Sequence, residues 1–413
     1  MSTNWLIALR FLLSRKRAML MSFSGIVFGV AFFIVTQAQT SGFQEFFIKT
    51  ILGVDGMMRV EDRFQSTLRS MEAEAGSDFD ITLESNLRYI PGVQFPDRLI
   101  EAIHRYPGVR AAAQVVNGSA RIQANFRDHD CRPYGIDVEQ HFRVSDLAEQ
   151  IIHGSVEAFQ NNPHGILVGQ RLAERLQLQP GDPVLVEAHR NSFRYRVSGI
   201  FETGIGQVDK ERVFLHLSTA RTLLDRPRGA SFIQISLDNP DEAPALAERM
   251  RSSFQHSVRS WQWRERTWLQ VFTVLRLSSA LTVSSIILIA GLGMFNTLAM
   301  IVIDKTREIA ILRSIGYTRN DISRIFLYQG AFILGIGLFA GSTLAATLTY
   351  GLSRLPIRIR GIFASDTFIV NWDIAHYIWA AGVATIVIGV AAYFPARRAA
   401  RLEPGTIIRE SGT

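Results

Sequence analysis

The run Ala18–Gln44, AMLMSFSGIVFGVAFFIVTQAQTSGFQ, contains no charged residue and is long enough to cross a bilayer as a helix. Three further runs of this kind lie near the C-terminus, at Leu277–Ile303, Ile325–Ser353 and Ile374–Ala396. More than 200 largely polar residues separate the first run from the second. This pattern predicts an α-helical membrane protein with four transmembrane helices, arranged 1+3, and a large domain outside the membrane.

The apolar runs divide the chain into nine segments. The segment between the first two runs is long enough to bury its own core, and its short helix and strand patterns predict a mixed α/β domain. We expect a cytoplasmic amphipathic helix at 1–17, transmembrane helix 18–44, the α/β domain 45–270, transmembrane helix 271–303, an inner loop 304–324, transmembrane helix 325–353, an outer loop 354–373, transmembrane helix 374–396 and a cytoplasmic tail 397–413. An extension of the first span is an equally good interpretation of the N-terminal segment.

Basic residues flank the apolar runs unevenly. The segments 1–18, 304–324 and 397–413 carry thirteen Lys and Arg against five Asp and Glu, in a chain of net charge +7. By the positive-inside rule these segments face the cytoplasm, which places the domain outside. Three arginines in the outer loop 354–373 oppose this orientation but are outnumbered. Because the remaining charges nearly cancel, the basic excess does not indicate a nucleic-acid-binding protein.

The sequence lacks the signatures of catalysis and of nucleotide or metal binding. There is no G-x-x-x-x-G-K-[ST] motif, so the chain has no P-loop for nucleotide phosphates. There is also no H-E-x-x-H, no G-x-S-x-G and no Cys/His spacing typical of a metal site, and the single cysteine, Cys131, excludes an intrachain disulfide. We therefore expect no catalytic residue, no metal site and no cofactor on this chain.

The inner loop carries the sharpest local pattern. Ile309, Leu312 and Ile315 recur at helical spacing, and charged residues occupy neighbouring positions. Gly316 is placed to end this helix, and the capping box Thr318–Asp321 opens the next one. A short amphipathic helix between two spans fits either a groove on a soluble partner or the membrane surface.

Two stretches resemble those of FtsX-like, MacB-type ABC transporter permeases. TREIAILRSIGYTRNDI (Thr306–Ile322) is similar to the loop that carries the family's coupling helix, which docks on an ATPase subunit. YFPARRAARLEPGTIIRE (Tyr393–Glu410) is similar to the family's Pro-Ala-x-x-Ala-Ala-x-x-x-Pro tail. The order of the spans and the place of the domain also match, so the resemblance covers the whole chain.

The resemblance implies a complex with two copies of a partner ATPase, which bind ATP and Mg²⁺, and a second permease subunit, identical or homologous. Glu308 and Arg313 would orient the coupling helix, while Ile309, Leu312 and Ile315 would fill the groove of the ATPase. The residues expected to form this helix are Lys305, Arg307, Glu308, Ile309, Leu312, Arg313, Ile315 and Gly316.

Two further stretches resemble the lipoprotein-releasing, Lol-type permeases within this family. They are QTSGFQEFFIKTILG (Gln39–Gly53) and GILVGQRLAERLQLQPGDPVLV (Gly165–Val186). The resemblance implies a lipoprotein substrate in a lipid environment. The Lol permease that recruits a periplasmic lipoprotein chaperone has a long loop at the hairpin 187–194, which is short here. The chain therefore resembles the partner permease without that loop, or a homodimeric relative, and contact with the chaperone stays open.

In Lol-type permeases, spans one and two of the paired subunits form an apolar chamber for lipid chains. Large apolar side chains in these spans offer such a surface here, although facing lipid or packing between helices is an equally good interpretation of each. The candidates are Phe28, Phe32, Phe33, Ile34, Phe43, Leu292, Met294 and Phe295. Gly25-x-x-x-Gly29 and Gly337-x-x-x-Gly341 have the spacing that lets membrane helices approach closely.

The sequence thus favours a non-enzymatic membrane subunit of an ABC transporter in a bacterial inner membrane, with its large domain in the periplasm. We expect ATP hydrolysis by the partner to drive extraction of lipoproteins from the outer leaflet and their release toward the periplasm. Two alternatives stay open: a MacB-type exporter of small molecules or peptides, and an FtsX-type signalling subunit that controls a cell-wall hydrolase. A plain membrane-anchored binding domain would leave the inner loop unexplained.

Overall fold

The structure is a computed structural model that describes residues 3–12, 16–62, 92–189, 191–356 and 367–401. Residues 357–366 of the outer loop and 402–413 of the tail lie outside this set. The chain divides into two compact units. The first contains the described residues of Met1–Glu45, Gln270–Pro356 and Thr367–Thr413, and the second contains those of Phe46–Leu269.

Four of the described helices, α2, α11, α13 and α14, are long and apolar enough to cross a membrane. The helices are α1 (Thr3–Leu12), α2 (Lys16–Asp55), α3 (Pro96–Ile103), α4 (Val138–Val144), α5 (Val156–Gln160), α6 (Gln170–Leu176), α7 (Gly206–Glu211), α8 (Leu217–Leu223), α9 (Ala243–Ser253), α10 (Trp261–Arg264), α11 (Arg266–Asp304), α12 (Thr306–Ser314), α13 (Arg319–Ser353) and α14 (Ile374–Ala400).

The long helices extend beyond the apolar runs that identified them. α2 continues past Gln44 to Asp55, and α11 begins at Arg266, before the apolar run starts at Leu277. Apolarity marks only the part of a helix suited to lipid, whereas the helix itself ends where the backbone turns. For α2 that point is Gly56, whose φ of 67° lies in the left-handed region that favours glycine.

One apolar core joins the helices of the first unit. It contains residues of all four long helices, together with residues of α1 and α12. Its fully buried members include Ile26 and Val30 of α2, Ile287 and Met294 of α11, Ile325 of α13, Ala384 of α14 and Ile309 of α12. The short helices α1 and α12 are therefore part of the same packed body as the long ones.

Eleven strands in the described part of the second unit form a single sheet. They are β1 (Met58–Glu61), β2 (Val109–Asn117), β3 (Ala120–Ala124), β4 (Arg127–Ile136), β5 (Ile151–Gly154), β6 (Gly165–Gly169), β7 (Pro183–Ala188), β8 (Asn191–Phe201), β9 (Arg212–His216), β10 (Phe232–Leu237) and β11 (Ser257–Ser260). With the surrounding helices they make the mixed α/β domain expected from the sequence.

Six of these strands close into a ring. β4 pairs with β3 along its first half and with β9 along its second half. β9 pairs with β6, β6 with β8, β8 with β7, and β7 with β3. Closure leaves no free edge in the ring, and its buried apolar side chains include Ile122, Val186 and Val197.

The other strands extend the ring as an antiparallel sheet in the order β11-β1-β10-β2, which joins the ring through the pairing of β2 with β4. β1 follows α2 closely, and β11 precedes α10 and α11. β1 and β11 pair directly, from Met58 opposite Ser260 to Glu61 opposite Ser257. The strand that continues α2 and the strand that leads toward α11 are thus immediate neighbours.

The short hairpin expected near 187–194 is confirmed. β7 and β8 pair as far as Ala188 opposite Asn191, so only residues 189 and 190 connect them. The positions at which a Lol permease would carry a long loop are therefore taken up by paired residues of β7 and β8.

Candidate functional site

The inner helix α12 has the local features that its sequence predicts. Gly316 follows it with φ of 110°, which lets the chain turn away. α13 then begins with a complete capping box, in which the amide of Asp321 donates to Thr318 Oγ1 at 3.2 Å and the amide of Thr318 donates to Asp321 Oδ2 at 3.1 Å. These features depend on residues a few positions apart, which is why the sequence alone indicates them.

Only part of the predicted apolar face of α12 is available to a partner. Ile309 is fully buried and Leu312 is half-buried, both against the core of the first unit. Ile315 is 73% exposed, and Ile311, which the sequence analysis did not single out, is 45% exposed. The docking role expected of Ile309 is therefore corrected, because its side chain anchors α12 to the protein's own core.

Charged residues lie at both ends of α12. Arg307 and Glu308 are exposed, and Arg313 is half-buried. Lys305 forms an ion pair with Glu308, and its Nζ lies 5.6 Å from the centre of the Phe11 ring. An exposed ion pair contributes little stability by itself. The second contact matters more, since it connects the beginning of α12 to α1.

The N-terminal helix α1 packs on the N-terminal half of α13. Trp5 makes edge-to-face contacts with Tyr328 and Phe332, with ring centres 6.0 and 5.9 Å apart. Between these two residues, Gln329 Nε2 donates to the carbonyl oxygen of Ala8 at 3.3 Å. α1 therefore contacts other segments of the first unit from Trp5 to Phe11. Residues 13–15, which decide whether it extends the first span, lie outside the described residues.

The first Gly-x-x-x-Gly motif lies at the contact between α2 and α11. A methyl group on Gly25 would lie 3.1 Å from Cβ of Ala290, and one on Gly29 would lie 3.0 Å from Cγ1 of Ile287. Both distances are shorter than ordinary carbon contacts. The two glycines allow the helix backbones to approach closely.

The second motif lies on α13 and faces α2. A methyl group on Gly337 would lie 2.7 Å from Cγ2 of Ile26, and one on Gly341 would lie 2.9 Å from Cβ of Val30. α2 therefore contacts α11 on one side and α13 on another through glycine-mediated packing.

The residues proposed for the lipid chamber do not share one surface. Phe28, Phe32 and Leu292 are 53, 51 and 57% exposed. Phe28 and Phe32 are four residues apart and so lie on the same side of α2. Phe43 and Phe295 are half-buried, and Phe43 makes an edge-to-face contact with Phe272 at 5.9 Å. These residues remain candidates for an apolar surface.

The other three chamber candidates are buried in the core of the first unit. Phe33, Ile34 and Met294 are 4, 1 and 0% exposed. The expectation that they line a chamber is corrected, since helical rotation turns them toward the neighbouring helices. Composition alone could not separate them from Phe28 and Phe32, because all of these side chains are large and apolar.

The middle part of α2, near Ala38 and Glu45, makes a contact that the sequence analysis did not identify. The amide of Asn371 donates to the carbonyl oxygen of Ala38 at 2.9 Å, and its Nδ2 donates to Glu45 Oε2 at 2.8 Å. A methyl group on Gly42 would lie 2.7 Å from the nitrogen of Asn371. Gly42, in the stretch Gln39–Gly53, thus makes room for the segment that precedes α14.

A cluster of charged side chains at the end of α2 was also missed. In the second unit, Arg212 Nη1 donates to Asp55 Oδ1 at 3.0 Å, and Arg59 Nη2 lies 3.5 Å from Asp55 Oδ2. Arg264 donates from Nη1 to the carbonyl oxygen of Asp55 and from Nη2 to that of Gly56, both at 3.3 Å. Polar residues spread over more than 200 positions give no local signal of such a cluster.

The cluster shifts the protonation equilibria around it. Burial disfavours the charged form of Arg212, but the carboxylate of Asp55 outweighs burial and raises the pKa of Arg212 above its usual value. Burial, followed by the nearby Arg59, lowers the pKa of Arg264 to about 10. Burial and Arg212 lower the pKa of His141 to about 3, so this imidazole is neutral at physiological pH.

Two features of the described residues bear on the sequence expectations for metal ligands and for the single cysteine. Among them, no group of three or more His, Cys, Asp and Glu lies close enough to hold a metal ion. Burial, together with Asp130, raises the pKa of the Cys131 thiol to about 12. That thiol stays protonated and is unsuited to nucleophilic chemistry.

Family comparisons support the geometric picture of a membrane unit and a separate α/β unit. The model of the MacB-like periplasmic core domain matches residues 19–253, and the model of the FtsX-like permease C-terminal region matches residues 280–404. The chain belongs to the FtsX-like, MacB-type ABC transporter permease family. The family expected from the inner loop and the tail is thereby confirmed.

Individual relatives agree with this membership. The lipoprotein-releasing system transmembrane protein LolC of Xylella fastidiosa is 26% identical over 434 aligned positions, which cover 98% of both chains. LolE of Haemophilus influenzae is 22% identical and aligns with 77% of this permease and 82% of its own length. The pyoverdine export ATP-binding/permease protein PvdT of Pseudomonas syringae is 25% identical over 74% of this permease, but over only 47% of its own length.

Proposed function

We propose that this permease is the membrane subunit of an ABC transporter that extracts lipoproteins from the outer leaflet of a bacterial inner membrane and releases them toward the periplasm. The observation that carries the proposal is the alignment with LolC over 98% of both chains. LolC is named as part of a lipoprotein-releasing system. The match to PvdT covers less than half of that exporter, so export of small molecules has less support.

In the proposed arrangement, α2, α11, α13 and α14 cross the membrane. The basic excess supports a cytoplasmic position for α12 and both termini, and a periplasmic position for the domain between α2 and α11. The length and composition of the four helices support this placement.

The partner ATPase, with ATP and Mg²⁺, would dock on α12. The exposed side chains of Ile311 and Ile315, with the exposed Arg307, offer the contact surface. Closure of the ATPase dimer would displace α12. Ile309 and Leu312, which pack into the core of the first unit, would pass this displacement to the long helices. Interiors at crystal-like density transmit such shifts because they cannot be compressed.

The substrate's lipid chains would contact the exposed apolar side chains of the first two spans. Phe28, Phe32 and Leu292 supply this surface, and a second permease subunit would supply the opposite wall. Displacement of α2 and α11 would narrow the space between the two subunits and expel the chains. The substrate would then leave along the periplasmic domain.

A periplasmic chaperone, if the complex uses one, would dock mainly on the other permease subunit. The tight connection between β7 and β8 supports this assignment, because it leaves no protruding loop at this position. The present chain would then be the partner of a loop-bearing permease, or one half of a homodimer.

The test is reconstitution of the co-purified complex in proteoliposomes with a triacylated lipoprotein. We expect lipoprotein release that requires ATP hydrolysis and acylation. The matched controls are the same lipoprotein without its acyl chains and the same complex with a non-hydrolysable ATP analogue. ATP hydrolysis without release of the acylated substrate would contradict the proposal and favour small-molecule export or control of a hydrolase.

A further inference from the structure

The charged cluster around Asp55 lies outside both the docking helix and the proposed lipid-facing surface. It is contained in the second unit and joins four of its segments. Asp55 is the last residue of α2, Arg59 lies in β1, Arg212 is the first residue of β9, and Arg264 is the last residue of α10. The cluster thus connects the end of α2 with the closed ring. It also includes α10, the short helix directly before α11, which we call the approach to α11.

The contact between Arg212 and Asp55 fixes the relative position of the two side chains, but it adds little to the free energy of unfolding. The side chain of Arg212 is 9% exposed, and its guanidinium carbon lies 4.1 Å from the centre of the Tyr134 ring. Withdrawing two charges from water costs about as much as their attraction returns, so such a pair adds little net stability. A planar guanidinium held against a ring accepts only a narrow range of carboxylate positions. Arg212 therefore determines where the end of α2 lies against the ring.

Arg264 acts on the backbone at the same point. Its two Nη atoms donate to the carbonyl oxygens of Asp55 and Gly56. The last carbonyl groups of a helix have no partner within it, and the negative end of the helix dipole favours a cation. Arg264 thereby holds the end of α2 to the segment that leads into α11.

From this placement we propose that Asp55, Arg212 and Arg264 are positioning residues of the transport cycle. They hold the end of α2, the approach to α11 and the closed ring as one body, so that displacement of the long helices is passed to the ring. The inference rests on the proposed transport function. Loss of the cluster would uncouple ATP hydrolysis from release while the domain stays folded.

Four variants separate this role from a purely structural one. Asp55→Asn leaves the buried Arg212 without its carboxylate partner, whereas Arg212→Gln leaves Asp55 with Arg59 as its ion-pair partner. The double variant Asp55→Asn with Arg212→Gln removes one charge of each sign and keeps the net charge of the cluster unchanged. Arg212→Lys keeps the charge but loses the planar fork, so we expect it to restore function only in part.

The first measurement is a distance between spin labels in the complete complex. Lys49→Cys on α2 and Arg194→Cys on β8 are exposed labelling positions, whereas the native Cys131 is buried and does not take the label. We expect one narrow distance distribution, the same without nucleotide and with ADP and vanadate trapped after ATP hydrolysis. In the double variant the distribution should broaden and depend on nucleotide. An unchanged distribution in a folded double variant overturns the inference.

The second measurement is the amount of lipoprotein released per ATP hydrolysed. We expect this ratio to fall about tenfold in the double variant, a loss typical of coupling free energies between sites, with basal ATPase activity near wild type. A folded double variant with the wild-type ratio overturns the inference. If the double variant does not fold, the same two measurements on Arg212→Lys decide, and wild-type values in both overturn it.

The two measurements test the proposed transport function and the positioning role of the cluster separately. The distance measurement needs no substrate. A wild-type complex that hydrolyses ATP without releasing lipoprotein contradicts the proposed function. A broadened distance in the double variant would still establish that the cluster positions the ring.

Discussion

Gly337 on α13 packs directly against Ile26 on α2, such that a methyl group on Gly337 would lie 2.7 Å from Cγ2 of Ile26. That carbon can move away only by rotation about the Cα–Cβ bond, which is restricted for a β-branched side chain in a helix. Gly335, two residues earlier on the same helix, has no atom within 4 Å of the corresponding position. The two glycines therefore form a matched pair for testing how closely α2 and α13 must approach.

We expect Gly337→Ala to destabilise the membrane unit by about 1–3 kcal/mol, because overpacking forces the two helices apart. Gly335→Ala should be neutral or slightly stabilising, since alanine favours a helix over glycine by about 1 kcal/mol. Thermal unfolding of the purified permease in detergent measures both. Equal effects of the two substitutions would contradict the close contact.

The docking assignment for α12 predicts that Ile315→Asp reduces binding of the partner ATPase. Ile315 is 73% exposed, so a charge there costs the fold little but disrupts an apolar contact with the ATPase. Ile152→Asp is the control, since Ile152 is also exposed but lies in β5 of the second unit. Co-purification of the ATPase with each variant is the measurement. If the Ile315→Asp variant binds the ATPase as well as wild type does, the exposed face of α12 around Ile315 is not the docking surface.

Ile309→Ala is predicted to act differently. Ile309 is fully buried, so truncation should lower the free energy of unfolding by about 2–5 kcal/mol through cavity formation. The exposed face of α12 is unchanged, and we expect the ATPase still to bind while release per ATP falls. Unfolding in detergent and the coupling ratio measure the two effects. If ATPase binding is lost while the free energy of unfolding is unchanged, Ile309 itself contacts the ATPase.

The buried carboxyl of Asp209 leads us to expect that the stability of the α/β domain depends on pH. Burial raises the pKa of its carboxyl from 3.8 to about 6, although Thr203 donates to it from the amide at 2.9 Å and from the hydroxyl at 2.7 Å. The folded state binds this proton more tightly than the unfolded chain. The associated stability is therefore present at low pH and is lost as pH rises through about 6.

Asp209→Asn keeps an acceptor for Thr203 and removes this titration. We expect the stability of wild type relative to the variant to fall by roughly 1–2 kcal/mol between about pH 5 and about pH 8. Denaturant unfolding of the full-length permease in detergent at the two pH values measures the difference. Parallel pH profiles for the two proteins would contradict the raised pKa.

The turn between β3 and β4 predicts a stabilising substitution. Asn125 and Phe126 both have positive φ, 52° and 60°, as in the two-residue turns that favour Asn-Gly, and the Phe126 side chain is fully exposed. Phe126→Gly should raise the free energy of unfolding by about 1 kcal/mol, because the left-handed conformation costs a bulky residue about that much. Chemical denaturation measures the change.

Phe193→Gly is the matched control for the turn. Phe193 is also exposed but lies within β8, and it is not among the residues with positive φ. Glycine there should lower the free energy of unfolding by about 0.5–1 kcal/mol, because its backbone is more flexible in the unfolded chain and loses more entropy on folding. A stabilising effect at both positions would point to removal of an exposed ring, not to relief of backbone strain.

The sequence by itself indicated the four long helices, the family, the tight hairpin and the capping box that opens α13. Apolarity over a span-length run and hydrogen bonds between residues three or four apart are properties of contiguous segments. The capping box of Thr318 and Asp321 is complete in the structure because its partners are local.

Only the tertiary structure decided which apolar residues face outward and which charges pair. Ile309 and Ile315 belong to one stripe in the sequence, yet the first is buried and the second exposed, because neighbouring helices cover only part of α12. Arg212 and Asp55 are 157 residues apart, and closure of the ring brings β9 to the end of α2. Burial and ion pairing depend on which distant segments become neighbours, and no local pattern records that.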